Sequence, residues 1–264
     1  TSASIKLLTP DDFPTIPHIR NEQLLVLPIN VFTEGLRSVW YCASLSSIRP
    51  ELSSVYVQYQ DGSIMFVATD SFRLAEKKII VPKLKPFDSF LLPYKNIPEI
   101  IKIFDGEDGD MEVSFTKNQI SFYLPSITIT SRCVDATFPD YKQIIPKEVS
   151  TECIVLKNDF IQTLRSTTLF SDKFNYVHFA VDTKEKKFTL SSKNSEVGEV
   201  EYTTPATLSG ETIEINFNHK YISDCFQSIF TDSVQIQLSG LTKPMVLRGV
   251  GDGSFLYLAM PMNK

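Results

Sequence analysis

The chain has 264 residues, of which 42% are hydrophobic and 22% charged, and its formal net charge is −5 at pH 7. That balance excludes a disordered polymer and fits a folded chain of about two domains. It also excludes binding to nucleic acid through bulk positive charge, and no apolar run approaches the ~20 residues of a membrane helix.

The chain opens with a segment, Thr9-Pro-Asp-Asp-Phe-Pro-Thr-Ile-Pro17, that is echoed by Asp135-Ala-Thr-Phe-Pro-Asp-Tyr-Lys142. The shared Phe-Pro step recurs after 125 residues, a period that belongs to a repeated domain rather than a solenoid turn. The phase predicts a remnant of an earlier module over 1–20, one module over 21–145 and another over 146–264. The first residue is Thr1, not Met, and with the remnant this reads as a piece of a longer protein.

A shorter period lies inside the long one. Leu27-Pro-Ile-Asn-Val-Phe-Thr-Glu-Gly-Leu36, Leu92-Pro-Tyr-Lys-Asn-Ile-Pro-Glu-Ile-Ile101, Leu156-Lys-Asn-Asp-Phe-Ile-Gln-Thr-Leu-Arg165 and Phe217-Asn-His-Lys-Tyr-Ile-Ser-Asp-Cys-Phe226 follow at spacings of 65, 64 and 61 residues. Each opens on the end of an apolar run, passes a Pro, Asn or Asp suited to a helix start, and continues with apolar residues three and four apart. The pattern predicts strand, cap, amphipathic helix.

Strands with period-two alternation follow each helix. The runs 55–59 and 64–68 flank Gln60-Asp-Gly-Ser63, a hairpin signal because Gly takes positive φ. The pairs 111–115 with 120–124 and 177–181 with 188–191 read the same way, and 234–238, 245–248 and 255–260 complete the series. The prediction is an α+β fold in which each domain is two βαβββ units, with helices on one face, antiparallel sheets on the other, and each sheet burying one face. The linker is placed near 144–150, with Pro146 as punctuation.

Cys42, Cys133, Cys153 and Cys225 have no metal-ligand spacing and read as small buried hydrophobes of a reducing compartment. Asp70 beside Ser71 lacks a nucleophile elbow, and His18, His178 and His219 read as structural. Gly249-Val-Gly-Asp-Gly253 lies between strands without the Lys of a phosphate loop, so it reads as a turn. Neither an enzyme nor a cofactor is expected. The four helical windows carry slightly more cations than anions while the rest of the chain is acidic, which makes the helices the less acidic face.

With the repeats in view, Val67-Ala-Thr-Asp-Ser-Phe-Arg-Leu-Ala75 resembles the Ala-Thr-Asp-Gly-His-Arg-Leu-Ala signature of the bacterial DNA sliding clamp family, the beta subunit of DNA polymerase III. Thr137-Phe-Pro-Asp-Tyr141 is similar to its junction between second and third domains, and Met260-Pro-Met262 to its C-terminal end. Leu190-Ser-Ser-Lys-Asn194 and Phe217-Asn-His-Lys-Tyr221 match as well. The resemblance runs along essentially the whole chain.

The resemblance implies the DNA clamp fold and a non-catalytic processivity factor. Its ring, a head-to-tail homodimer at full length, encircles duplex DNA without sequence preference. On that reading Arg37, Arg49, Lys95, Lys102, Arg165 and Lys220 are candidates to face DNA, with Arg49 and Lys95 first. The resemblance also implies a groove that receives short linear motifs of the replicative polymerase, the clamp loader and repair proteins. Its matching positions are Leu52, Thr69, Ser71, Phe72, Arg73, Leu74, Pro139, Gln143, Ile144, Phe174, Asn218, Tyr221, Thr242, Pro244, Leu258, Ala259, Met260, Pro261 and Met262. Leu, Ile, Met and Pro suit an apolar floor for anchor side chains, and Thr69 and Arg73 are expected to offer polar contacts to a bound backbone. Ser71-Phe72 replaces the usual Gly-His, Gln143 a typical Arg, and Asn263-Lys264 the usual Arg-Leu end, so the preferred motifs are expected to differ in detail. The expected location is cytoplasmic and nucleoid-associated, with no membrane partner. These residues alone are expected to be monomeric. The alternative is a peptide-binding scaffold that does not encircle DNA.

Overall fold

The computed structural model describes residues 2–7, 9, 19 and 23–262. Most of 1–20, including the Phe13-Pro14 end of the long repeat and His18, lies outside the described residues, as do Asn263 and Lys264.

Four units follow one another. The first is β1 (Gln23–Pro28), α1 (Ile29–Val39), β2 (Ser54–Gln60), β3 (Ser63–Thr69) and β4 (Arg73–Ile80). The second is β5 (Phe90–Pro93), α2 (Ile97–Ile103), β6 (Asp110–Phe115), β7 (Gln119–Tyr123) and β8 (Thr128–Arg132). The third is β9 (Thr151–Leu156), α3 (Lys157–Thr168), β10 (Tyr176–Asp182), β11 (Lys187–Asn194), β12 (Gly198–Thr204) and an extra β13 (Ala206–Gly210). The fourth is β14 (Ile213–Asn218), α4 (His219–Cys225), β15 (Ser233–Leu238), β16 (Met245–Gly249) and β17 (Phe255–Ala259).

Units pair by exchanging their first strands. β1 joins β6, β7 and β8, and β14 joins β10, β11 and β12, to make two four-stranded sheets. β5 and β9 are exchanged in the same way, but their sheets fuse into one of nine strands, in the order β13-β9-β15-β16-β17-β4-β3-β2-β5. The seam is the antiparallel pair β4 and β17, with Arg73 opposite Ala259 and Lys77 opposite Phe255. Pro205 separates β12 from β13, and the chain changes sheets there: β12 pairs with β11 and β13 with β9. A proline suits that corner because it has no N–H to give to either ladder.

The helix starts depart from expectation. Among the described residues only Asn218 caps a helix with its side chain, accepting from Lys220 N at 3.0 Å. The leading amide of each helical segment is instead met by the partner unit. Ile29 N donates to Gly109 O, Tyr94 N to Ser53 O, Lys157 N to Asp232 O and His219 N to Asn175 O, all at 2.8–3.0 Å. In every case the acceptor lies just before the second strand of the paired unit, so the donors left over at a helix N-terminus are satisfied across the pair. Side-chain caps are redundant where the tertiary fold supplies a carbonyl.

The core follows the alternation in the outer strands. In β1, Leu25 and Leu27 point inward while Val26 is exposed. One face per sheet does not hold for the centre of the nine-stranded sheet, where every residue of β3 and β17 is buried. The helices cover one face. On the other, Val67, Leu74, Val246, Leu256 and Leu258 lie under Phe138, Tyr141 and Ile145 of the connection between β8 and β9. Phe138 stacks on Tyr56 with centroids 4.9 Å apart. Cys42, Cys153 and Cys225 are buried and Cys133 is half-buried, all as free thiols; burial pushes the Cys133 and Cys153 thiols up to about 12.

The helices lie side by side. α1 packs on α2, α3 on α4, and α1 also meets the turn that follows α4, where Ser228 Oγ donates to Ser38 O at 2.9 Å. Close packing under α1 depends on Gly35, since a Cβ there would sit 2.2 Å from the Phe66 ring. Gly35→Ala gains up to ~1 kcal/mol of helix propensity but overpacks a ring that has nowhere to move. The expected net effect is a loss of about 1–2 kcal/mol in urea unfolding.

Candidate functional site

The turn between β3 and β4 is built by Asp70. Its carboxylate accepts from Phe72 N at 2.9 Å, Arg73 N at 3.0 Å and Arg73 Nε at 3.0 Å. Thr69 Oγ1 donates to Arg73 O at 2.7 Å and accepts from Ser71 N at 3.1 Å. This geometry forces Ser71 to φ 80°, a left-handed conformation that costs an L-residue roughly 1–2 kcal/mol and glycine little. Ser71→Gly is therefore expected to stabilise the chain by about 1 kcal/mol in thermal or urea unfolding, whereas Ser71→Val should destabilise it.

Arg73 crosses from this turn to the other half of the molecule. Its NH1 pairs with Asp224 of α4, its NH2 donates to Tyr41 O at 2.8 Å, and its guanidinium lies 4.7 Å from the Tyr221 ring centroid. Its side chain is only 12% exposed. Thr69 and Arg73 are thus engaged with the framework, three of the five Arg73 N–H groups being used in these bonds. Beside them Met260 N donates to Phe72 O and Met262 N to Asn216 O, both at 2.8 Å. These two bonds hold the segment after β17 against the β3–β4 turn and the edge strand β14.

The structure therefore brings together Thr69, Ser71, Phe72, Arg73, Leu74, Tyr221, Leu258, Ala259, Met260, Pro261 and Met262. Leu74 and Leu258 are register partners and almost fully buried, as are Ala259 and Pro244, so they support the surface rather than form it. The exposed apolar members are Phe72, Ile144 and Phe174. Pro139 and Gln143 are exposed in the connecting segment, where Gln143 Nε2 donates to Asp140 at 2.8 Å. Asn218 caps α4. Leu52 is buried in the turn before β2, its carbonyl accepting from Ser44 N, and Thr242 is exposed in the loop between β15 and β16.

Residues not singled out from the sequence carry much of this geometry. Asp224 and Tyr41 hold Arg73, and Tyr141 roofs the outer cluster while its hydroxyl donates to Glu76. Tyr257 is fully buried and its hydroxyl donates to Tyr221 O at 2.6 Å. Burial pushes the Tyr41 and Tyr257 hydroxyls well above the usual tyrosine range. Burial, and then Lys220, pull His219 below the usual histidine range.

All six expected DNA-facing cations are exposed. Lys95 stands in the turn leading to α2, Lys102 on α2, Arg165 on α3 and Lys220 on α4, and among the described residues these four make no ion pair. Arg37 is paired with Asp105 at 2.9 Å and Arg49 with Glu51 at 3.1 Å. Among the described residues no group of His, Cys, Asp or Glu could hold a metal ion, and no helix is long and apolar enough to cross a membrane.

Duplicated βαβββ units that exchange strands, with helices on one face and antiparallel sheets on the other, define the architecture of a DNA clamp. The DNA polymerase III beta subunit central domain matches residues 26–140, and the C-terminal domain of the same subunit matches 142–263. The chain belongs to the DNA polymerase III beta subunit family, the bacterial sliding clamps that act as processivity factors in DNA replication. It is 26% identical over 257 residues to the beta sliding clamp of Staphylococcus aureus, covering 97% of this chain and 68% of that one. Among solved structures, the beta subunit of Thermotoga maritima superposes with a TM-score of 0.91 at 25% identity, covering 97% of this chain and 70% of that one. The Bacillus subtilis sliding clamp gives the same score and identity, with 97% and 68% covered. The chain thus spans about two thirds of the length of the relatives it matches.

Proposed function

We propose that residues 21–145 and 146–264 are two domains of a ring that encircles duplex DNA with its helices inward. Its outer junction holds short linear motifs of polymerase, clamp loader and repair proteins. The observation that supports the groove is the Arg73 bridge, which ties the β3–β4 turn to α4 beside the segment 260–262 and the exposed Phe72. Apolar anchors beside a rigid polar frame suit a motif carrying Leu and an aromatic residue. Met260 and Met262 adapt to different ligands, which suits a hub.

Exposed lysines on the inward helices support sequence-blind phosphate contact. A ring held by topology needs little affinity, so an acidic chain suffices. The free edge of β12, with the exposed Leu169 and Val197 beside it, supports head-to-tail pairing with a second copy. No chemistry of its own is assigned to the chain, and its place is the cytoplasm, on the nucleoid.

Two measurements test this reading. Titration with a panel of Leu- and Phe-containing clamp motifs should show saturable binding that Met260→Ala weakens; no binding by any motif sinks the groove. Processive synthesis on primed circular DNA by a polymerase supplied with the ring should depend on the ring, and peptide binding without such stimulation would leave a scaffold only.

A further inference from the structure

The inward face is not uniformly basic where α1 meets the end of α2 and the turn after α4. A cavity of about 560 Å³ opens there, lined by Glu34, Arg37, Trp40, Asp105, Glu107 and Phe230 among others. Glu34 is occupied by the buried Lys77 at 2.9 Å, and Lys77 also donates to Ser254 Oγ at 3.0 Å. Asp105 holds Arg37, both groups being more than half exposed, and in the loop before β2 the largely buried Glu51 holds the exposed Arg49. Two of the six inward cations therefore already have an anion in the place a phosphate would take.

We infer that Asp105 and Glu51 are positioning residues that compete with DNA phosphates for Arg37 and Arg49, so that Lys95, Lys102, Arg165 and Lys220 carry the standing contact with DNA. The inference rests on the reading that these helices face DNA. Its physical basis is the small net stability of an exposed ion pair, which a phosphate can exchange with but does not meet free of charge. A phosphate contact made against a resident carboxylate is weaker and shorter-lived than one made to a free cation. That is the property a chain moving along DNA requires.

The test is binding of the 264-residue chain to a short fluorescent duplex by anisotropy across a salt series. Asp105→Asn with Glu51→Gln should tighten binding several-fold at low salt and steepen the slope of log K against log salt by about 0.9 for each arginine released. Adding Arg37→Ala and Arg49→Ala should abolish that gain, while the same two alanines in the parent chain should change little. Glu185→Gln with Glu196→Gln, two exposed turn carboxylates with no ion pair among the described residues, controls for the same change of two charges. An equal gain there, or no gain from the carboxylate variants while Lys95→Ala with Lys102→Ala weakens binding, overturns this inference alone. If the lysine variants leave binding unchanged, the DNA-facing reading falls and this inference with it.

Discussion

Replacing Arg73 with alanine is expected to lower the unfolding free energy by about 3 kcal/mol and to weaken motif binding by about tenfold or more, or ~1.4 kcal/mol. The guanidinium meets Asp70, Asp224, Tyr41 O and the Tyr221 ring at once. Its removal leaves Tyr41 O without that donor in a buried place, and Asp224 without its partner. The estimate sits at the low end for a broken buried pair because Asp70 keeps two backbone donors and Asp224 is 44% exposed, so water replaces part of what is lost. Binding weakens because Arg73 ties the turn that carries Phe72 to the helix that carries Tyr221. Arg73→Lys should recover little, since a point charge cannot serve three directions and a ring face together. Urea unfolding and peptide titration on the same variants check both parts. An Arg73→Ala chain with unchanged binding would show that the groove walls hold their places without the bridge.

Tyr257→Ala is expected to cost about 4 kcal/mol, in the range for emptying a buried aromatic site. Tyr257 lies in β17 opposite Ala75 of β4 and Leu247 of β16, with no exposed surface, and its hydroxyl donates to Tyr221 O. Tyr257→Phe keeps the volume and loses one hydrogen bond, so it should cost about 1 kcal/mol. Because β17 is shared across the seam, unfolding should stay one cooperative transition in both variants, by circular dichroism and tyrosine fluorescence alike. Separate transitions for the two halves would contradict a sheet that binds them into one unit.

The four strand-to-helix steps are legible because hydrophobic period changes within a few residues there, as at Leu27 to Phe32. β12 is not, since Glu199, Glu201 and the exposed positions around them show no apolar alternation; its pairing with β11 makes it a strand. The seam leaves no local trace, because Lys77 and Ser254 are 177 residues apart and nothing near either announces the other. The helix starts are legible in place but not in their hydrogen bonding, because the acceptors, such as Gly109 for Ile29, sit in the partner unit. The groove positions rest on resemblance, and the resemblance does not reveal that Arg73 bridges to Asp224, 151 residues away. Nor could spacing show that Arg37 is matched by Asp105, 68 residues away.

The seam between β4 and β17 also has a mechanical meaning. Its antiparallel bonds lie perpendicular to the strands, in line with any tension that pulls the two halves apart within the sheet. Such a pull peels the ladder from one end, breaking the pairs from Arg73–Ala259 to Lys77–Phe255 in sequence, and a load along the strands would shear them all together. Bending the sheet meets other resistance, from α1 and the Lys77–Glu34 bond on one side and from Phe138 and Tyr141 on the other. The junction is therefore stiff against flexing and weakest against a tear that runs along the ladder from one end.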